Sequence, residues 1–157
     1  MQPDERVILA RDYFLKGFNC AQSVFAAFHA DMGLSERAAL LVASGMGGGV
    51  GGLREICGAF TGLVMAMGAL RGYDDPTDTQ RKKAHYAAMQ ALGARFTADF
   101  DTLICRDLLQ RQGIVPSPVP AERTPDYYRD RPCARYVEAC ARYGQEMLNA
   151  ETAAAQS

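Results

Sequence analysis

Apolar residues along this chain recur at spacings of three and four, and no segment alternates convincingly with period two. That periodicity predicts helices throughout and no sheet. Val7, Ala10 and Phe14 form the first stripe, opened by Pro3, which suits a first helical turn, and stopped near Gly17. Asn19 can cap a second helix, with Gln22 in the reciprocal capping position, carrying Ala21, Val24, Phe25 and Phe28 and ending near Gly33. Ser35 can cap a short third helix through Leu40, Leu41 and Val42. A fourth starts near Glu55 and runs to about Leu70, with Gly72 at its end.

A fifth stripe opens around Asp75 to Thr77 and places Tyr86, Met89, Gly93, Phe96 and Phe100 at three and four. Asp101 is expected to restart a helix carrying Leu103, Ile104, Leu108 and Leu109. Gly113 to Pro125 holds four prolines and reads as a loop lying over the bundle. A last helix begins around Asp130 to Pro132 and continues to about Asn149, leaving 150–157 as a frayed tail. The expected fold is all-α: one domain over 1–157, a compact bundle of about six helices with its core at about 3–149, a Gly-rich loop and a Pro-rich loop.

Composition narrows the function. Hydrophobic residues make up 48% of 157, enough to furnish the core of one domain. A net charge of −1 offers no basic surplus for nucleic acid or an anionic membrane as the main partner. No apolar run reaches bilayer-spanning length, and the start MQPDERVILARDYF carries acids and lacks a signal-peptide core. A cytoplasmic protein that does not span a membrane is therefore expected. In that compartment five cysteines point away from a disulfide framework and toward metal ligation, thiol redox chemistry or plain burial.

The chemistry concentrates between Gly45 and Gly62, in GMGGGVGGLREICGAFTG. Six of the first eight residues are glycines, so the backbone there can reach conformations closed to other residues. Successive N–H groups of such a loop can form an anion-binding nest. Gly47, Gly49 and Gly52 also fit GxGxxG, but a dinucleotide site would need βαβ alternation that the rest of the chain does not supply. Cys57 follows the loop directly. Cys20 follows the cap Asn19, Cys105 lies four residues after Asp101, and Cys133 follows Asp130 and Pro132. All four thus fall in or near the first turn of an expected helix, where unpaired N–H groups and the positive dipole end favour a thiolate. Cys140, two turns beyond Cys133, reads as a small buried apolar residue. His29 and His85 stand alone and read as surface or satisfied histidines, not ligands.

At these residues the chain resembles a family of proteins named for their cysteine pattern and described as redox-active from those cysteines. CGAFTG matches its CGAxxG motif, GFNCAQSVFAAF resembles its first cysteine segment, and LICRDLL and RPCARYV hold cysteines where its third and fourth are expected. The resemblance spans roughly Ala10 to Tyr143. It implies a functional set of Cys20, Cys57, Cys105 and Cys133, with Gly58 and Gly62 as motif glycines, and a frequent neighbourhood with transporter genes. The chain has no CxxCH, so covalent haem attachment is not supported.

The leading expectation is a redox or electron-transfer protein in which these four cysteines hold an iron–sulfur cluster or related metal centre. Gly47, Gly48 and Gly49 of the loop, with Gly58 and Gly62, would support the bound group. An unidentified electron donor or acceptor is then the partner; a homo-oligomer and an oxidoreductase activity are both compatible with the chain. In the metal-free alternative Cys57, favoured by Arg54 and its helix start, attacks a disulfide and Cys20 resolves it. Structural zinc is disfavoured by the absence of any CxxC. A helical interaction module with purely structural cysteines is the remaining alternative.

Overall fold

Capping side chains start the helices largely where the sequence places them. The computed structural model describes residues 1–157, with eight right-handed α-helices and no strand. The first, α1 (Pro3–Leu15), opens on its proline, with the Gln2 N–H donating to the Glu5 carboxylate at 2.7 Å. In α2 (Cys20–Ala26) the Asn19 side chain accepts from the Gln22 N–H at 2.9 Å, and Gln22 Oε1 accepts from the Asn19 N–H at 3.1 Å. Ser35 caps α3 (Glu36–Val42) at 3.2 Å. Then follow α4 (Gly58–Arg71), α5 (Thr79–Phe100), α6 (Cys105–Gln110), α7 (Pro125–Asp130) and α8 (Cys133–Gln156).

The central bundle is α1, α2, α4 and α8, in which α1 packs against α8, α2 against α4, and α4 against α8. Phe14, Val24, Phe28, Leu63, Met67 and Val137 are fully buried between them. Small residues set the spacing. A Cβ on Gly62 would lie 2.6 Å from the Ala21 carbonyl oxygen, and one on Gly144 would lie 2.7 Å from the Phe28 ring. The long α5 touches the bundle mainly through Leu92, Gly93 and Phe96, and leaves most of its surface in solvent.

Several elements depart from expectation for physical reasons. On α1 Arg6 is fully buried along with Ala10 and Phe14, whereas Val7 is half-buried. The Arg6 guanidinium meets Gln145 at 2.8 Å, Asp31 at 2.8 Å and the Ala27 carbonyl through Nε and Nη1 and lies over the Phe28 ring, while Nη2 is buried without a partner. The second helix stops at Ala26, and tight turns carry the chain on to Gly33. Asp101 ends α5 in a left-handed conformation (φ 72°) instead of starting the next helix. Thr124 caps α7, an element the proline content concealed. Residues 150–156, expected to fray, continue α8 and are tied to α4 by the ion pair between Arg71 and Glu151.

Candidate functional site: a thiol-lined cavity

The glycine loop sets the site's geometry. Five successive residues, Gly48 to Gly52, have positive φ (63, 65, 68, 56 and 82°). The hand does not alternate, so the segment is a left-handed helical turn rather than the expected irregular nest. Such a turn costs a residue with a Cβ about 1–2 kcal/mol, which explains four glycines in five and makes Val50 the strained member. The turn folds the chain back on itself: the N–H groups of Arg54 and Glu55 donate to the Gly48 and Gly49 carbonyls, each at 2.9 Å. A Cβ on Gly49 would lie 2.6 Å from the Glu55 nitrogen, so this return permits no side chain there. No strand precedes the loop, which removes the dinucleotide reading of its glycines.

The returning segment pairs with a distant one. Ile56 and Ile104 form an isolated antiparallel bridge, in which Cys57 N–H donates to the Leu103 carbonyl at 2.8 Å and Cys105 N–H to the Glu55 carbonyl at 2.6 Å. That bridge brings the starts of α4 and α6 together. At the other side, Asn19 Nδ2 donates to the Ser44 carbonyl at 3.0 Å and fastens the start of α2 to the loop.

Each of the four cysteines sits at a helix start. Cys20, Cys105 and Cys133 are the first residues of α2, α6 and α8, and Cys57 is the residue capping α4. All four line one cavity of about 490 Å³. Its walls come from the glycine turn, the helix starts and the Pro-rich loop, which contributes Pro118, Pro120 and Ala121. That loop is held by the Arg54 Nε donating to the Ser117 carbonyl at 2.8 Å. Three arginines line the cavity (Arg54, Arg123 and Arg131) and no carboxylate does. None of the three makes a salt bridge. Arg123 stacks on the Phe14 and Tyr127 rings and donates through Nη2 to the Phe18 carbonyl at 3.1 Å, while its Nη1 is buried without a partner.

The thiols are not equivalent. Cys57 is 4% exposed, and burial pushes its thiol up to about 12. The amides of Ala59 and Phe60 oppose that rise, although neither closes a full capping hydrogen bond. Cys133 alone is lowered: the Cys20 thiol donates toward it, and Arg131, Arg123 and Arg54 add favourable charge against its burial. Cys20 is raised well above its ordinary value by the same contact and by burial. Burial raises Cys105 while Arg54, whose Nη1 lies 3.7 Å from its sulfur, pulls it down. Arg54 therefore serves Cys105, not Cys57 as the sequence suggested, and the thiols whose ionisation is linked are Cys20 and Cys133.

Gly47, Gly48, Gly49 and Gly58 line the cavity. Gly62 does not; it lets α4 close on Ala21. Cys140 is fully buried in the core, away from the cavity. His29 is held by the Leu34 carbonyl at 2.9 Å, and His85 lies beside Tyr73, so neither reaches the site. No three Cys, His, Asp or Glu side chains converge as the ligands of one metal ion would. Sequence reasoning missed Arg123 and Arg131 as members of the site. Arg131 stands two residues before Cys133, a local signal, whereas Arg123 has none.

Fold and site together define an all-α protein with cysteines gathered at helix starts in an electropositive cavity. Residues 18–147 match the family described as "Putative redox-active protein (C_GCAxxG_C_C)", and the chain belongs to that family. No curated protein and no solved structure matches the chain.

Proposed function

We propose that this is a redox protein working through the sulfurs of Cys20, Cys57, Cys105 and Cys133, with an iron–sulfur cluster or related sulfur-ligated centre as the group they hold. The observation that carries the reading is the meeting of four helix-start thiols with three carboxylate-free arginines in one cavity. An all-thiol donor set suits iron–sulfur ligation, and arginines without carboxylate partners beside it suit the negative charge of a thiolate centre. The lack of a tight three-donor group argues against single-ion zinc, whose sulfur bonds of about 2.3 Å demand one. Such a centre would supply one-electron transfer. The chain's own residues would do the rest: Arg54, Arg123 and Arg131 offset thiolate charge, while Pro118, Leu108 and Leu109 limit water.

A second reading is favoured by the opposed thiols Cys20 and Cys133, of which the first is held protonated and the second favoured as thiolate. In it the Cys133 thiolate attacks a disulfide substrate and expels one thiolate. The Cys20 thiol, giving up its proton, then attacks the Cys133 sulfur and expels the second. The substrate leaves as two thiols and a Cys20–Cys133 disulfide remains.

Purification without oxygen separates the two. The cluster reading expects brown protein with iron and acid-labile sulfide, lost in Cys57→Ser. Colourless protein that forms a Cys20–Cys133 disulfide, mapped by peptide mass spectrometry, would overturn it in favour of exchange.

A further inference from the structure

The cavity is larger and more cationic than four sulfurs require. At about 490 Å³ it lies in the range of small-molecule pockets. The three guanidinium groups that line it are half-buried, and a concave wall carrying one sign of charge draws in ligands of the other. Eight of the chain's other arginines pair with carboxylates, yet the three lining this cavity pair with none. Arg123 is moreover held in place: its guanidinium lies over the Phe14, Tyr127 and Tyr128 rings and Nη2 donates to the Phe18 carbonyl, leaving Nη1 without a protein partner. Arg131 is likewise seated over the Tyr127 ring, 4.8 Å from its centroid.

From this we infer that the cavity is the binding site of a small anionic molecule, a carboxylate or an oxyanion, with Arg123 as its main contact and Arg131 and Arg54 beside it. The anionic group is held within the space that the thiols line, so it is the substrate class of the redox site. This rests on the reading that the thiols are the working groups, but not on which centre they hold.

The test uses two alkylating reagents of matched size on the reduced, chelator-treated full chain: anionic iodoacetate and neutral iodoacetamide. An ordinary thiolate repels the anionic reagent. Modification of Cys133 is followed by peptide mass spectrometry, with glutathione as the reference thiol. The expected result is an iodoacetate-to-iodoacetamide rate ratio about tenfold above that of glutathione, saturating with iodoacetate concentration. Arg123→Gln should lower the ratio severalfold, Arg131→Gln should lower it less, and Arg37→Gln, remote from the cavity, should leave it unchanged. Slowing by acetate alone would assign a carboxylate ligand, and slowing by phosphate alone an oxyanion. A ratio like that of glutathione, or no reaction with either reagent, would overturn the inference. So would an Arg123→Gln ratio equal to wild type. If Arg123→Gln does not fold by circular dichroism, saturation in the wild type and the Arg131→Gln ratio decide. Iron and sulfide are measured on the same preparations before chelation. Cluster-bearing protein with a glutathione-like ratio sinks the anion site alone, and metal-free protein with a raised ratio sinks the cluster alone.

Discussion

Gly62→Ala tests whether the α2–α4 contact sets the spacing of the site. The new methyl would start 2.6 Å from the Ala21 carbonyl oxygen and 3.1 Å from the Ala21 Cα. Both are backbone atoms of a helix and cannot step aside as a side chain could. Restoring ordinary contact at 3.4 Å requires α2 and α4 to part by about 0.8 Å. Overpacking of this kind costs about 1–3 kcal/mol, occasionally more, and the gain in helix propensity returns about 1 kcal/mol. At Gly68, on the same helix, an added Cβ meets nothing within 4 Å. Gly68→Ala therefore takes the propensity gain without the clash and should stabilise by about 0.5–1 kcal/mol. Urea denaturation followed by circular dichroism reads both, and the variants should fall on opposite sides of wild type. Because α2 begins at Cys20 and α4 is capped by Cys57, Gly62→Ala should also change thiol reactivity. Equal stability of the two variants would refute the close-packing argument.

Other outcomes follow from the same geometry. In the metal-free protein, the Cys57 thiol is raised from 9.0 to about 12 by burial, so its contribution to stability is complete below pH 9 and is lost as pH rises through 12. Wild type should lose about 3 kcal/mol more than Cys57→Ser between pH 8 and 11, measured by urea denaturation at each pH. Arg54→Gln removes the charge that holds Cys105 down, so the alkylation profile of Cys105 should move to higher pH, read by mass spectrometry at that peptide. Arg6→Ala leaves buried Gln145 without its partner and opens a cavity in the core, and should cost about 2–5 kcal/mol, a fall of roughly 10 °C in Tm by calorimetry. Gly49→Ala meets both a positive φ and the Glu55 backbone and should fail to give soluble folded protein, unlike Gly113→Ala, which has a positive φ but open space.

What was legible in the sequence was local. Asn19, Ser35 and the prolines at residues 3 and 132 act within one turn of themselves, so they announced α1, α2, α3 and α8 and placed Cys20 and Cys133 at helix starts. What was not legible depends on partners far along the chain. Arg6 is tolerated inside because distant groups meet it: Asp31, the Ala27 carbonyl and Gln145, the last 139 residues away. Cys105 meets the site through the bridge of Ile104 with Ile56, a pairing too short to show any alternation. The same holds for Arg123: a proline-rich stretch gives no hint that its arginine will stack on rings from α1 and α7. The glycines announced an unusual backbone, but not that five residues in a row would share one left hand.

The four sulfurs stand 37, 48 and 28 residues apart along the chain, and every wall of their chamber is drawn from a different stretch. No fragment of the polypeptide owns the chamber, so a nascent or clipped chain has nothing to offer an incoming guest. Loading must wait for the finished tertiary structure. A group ligated by all four sulfurs would fasten the beginnings of α2, α4, α6 and α8 at a single knot, and its release would loosen all four together.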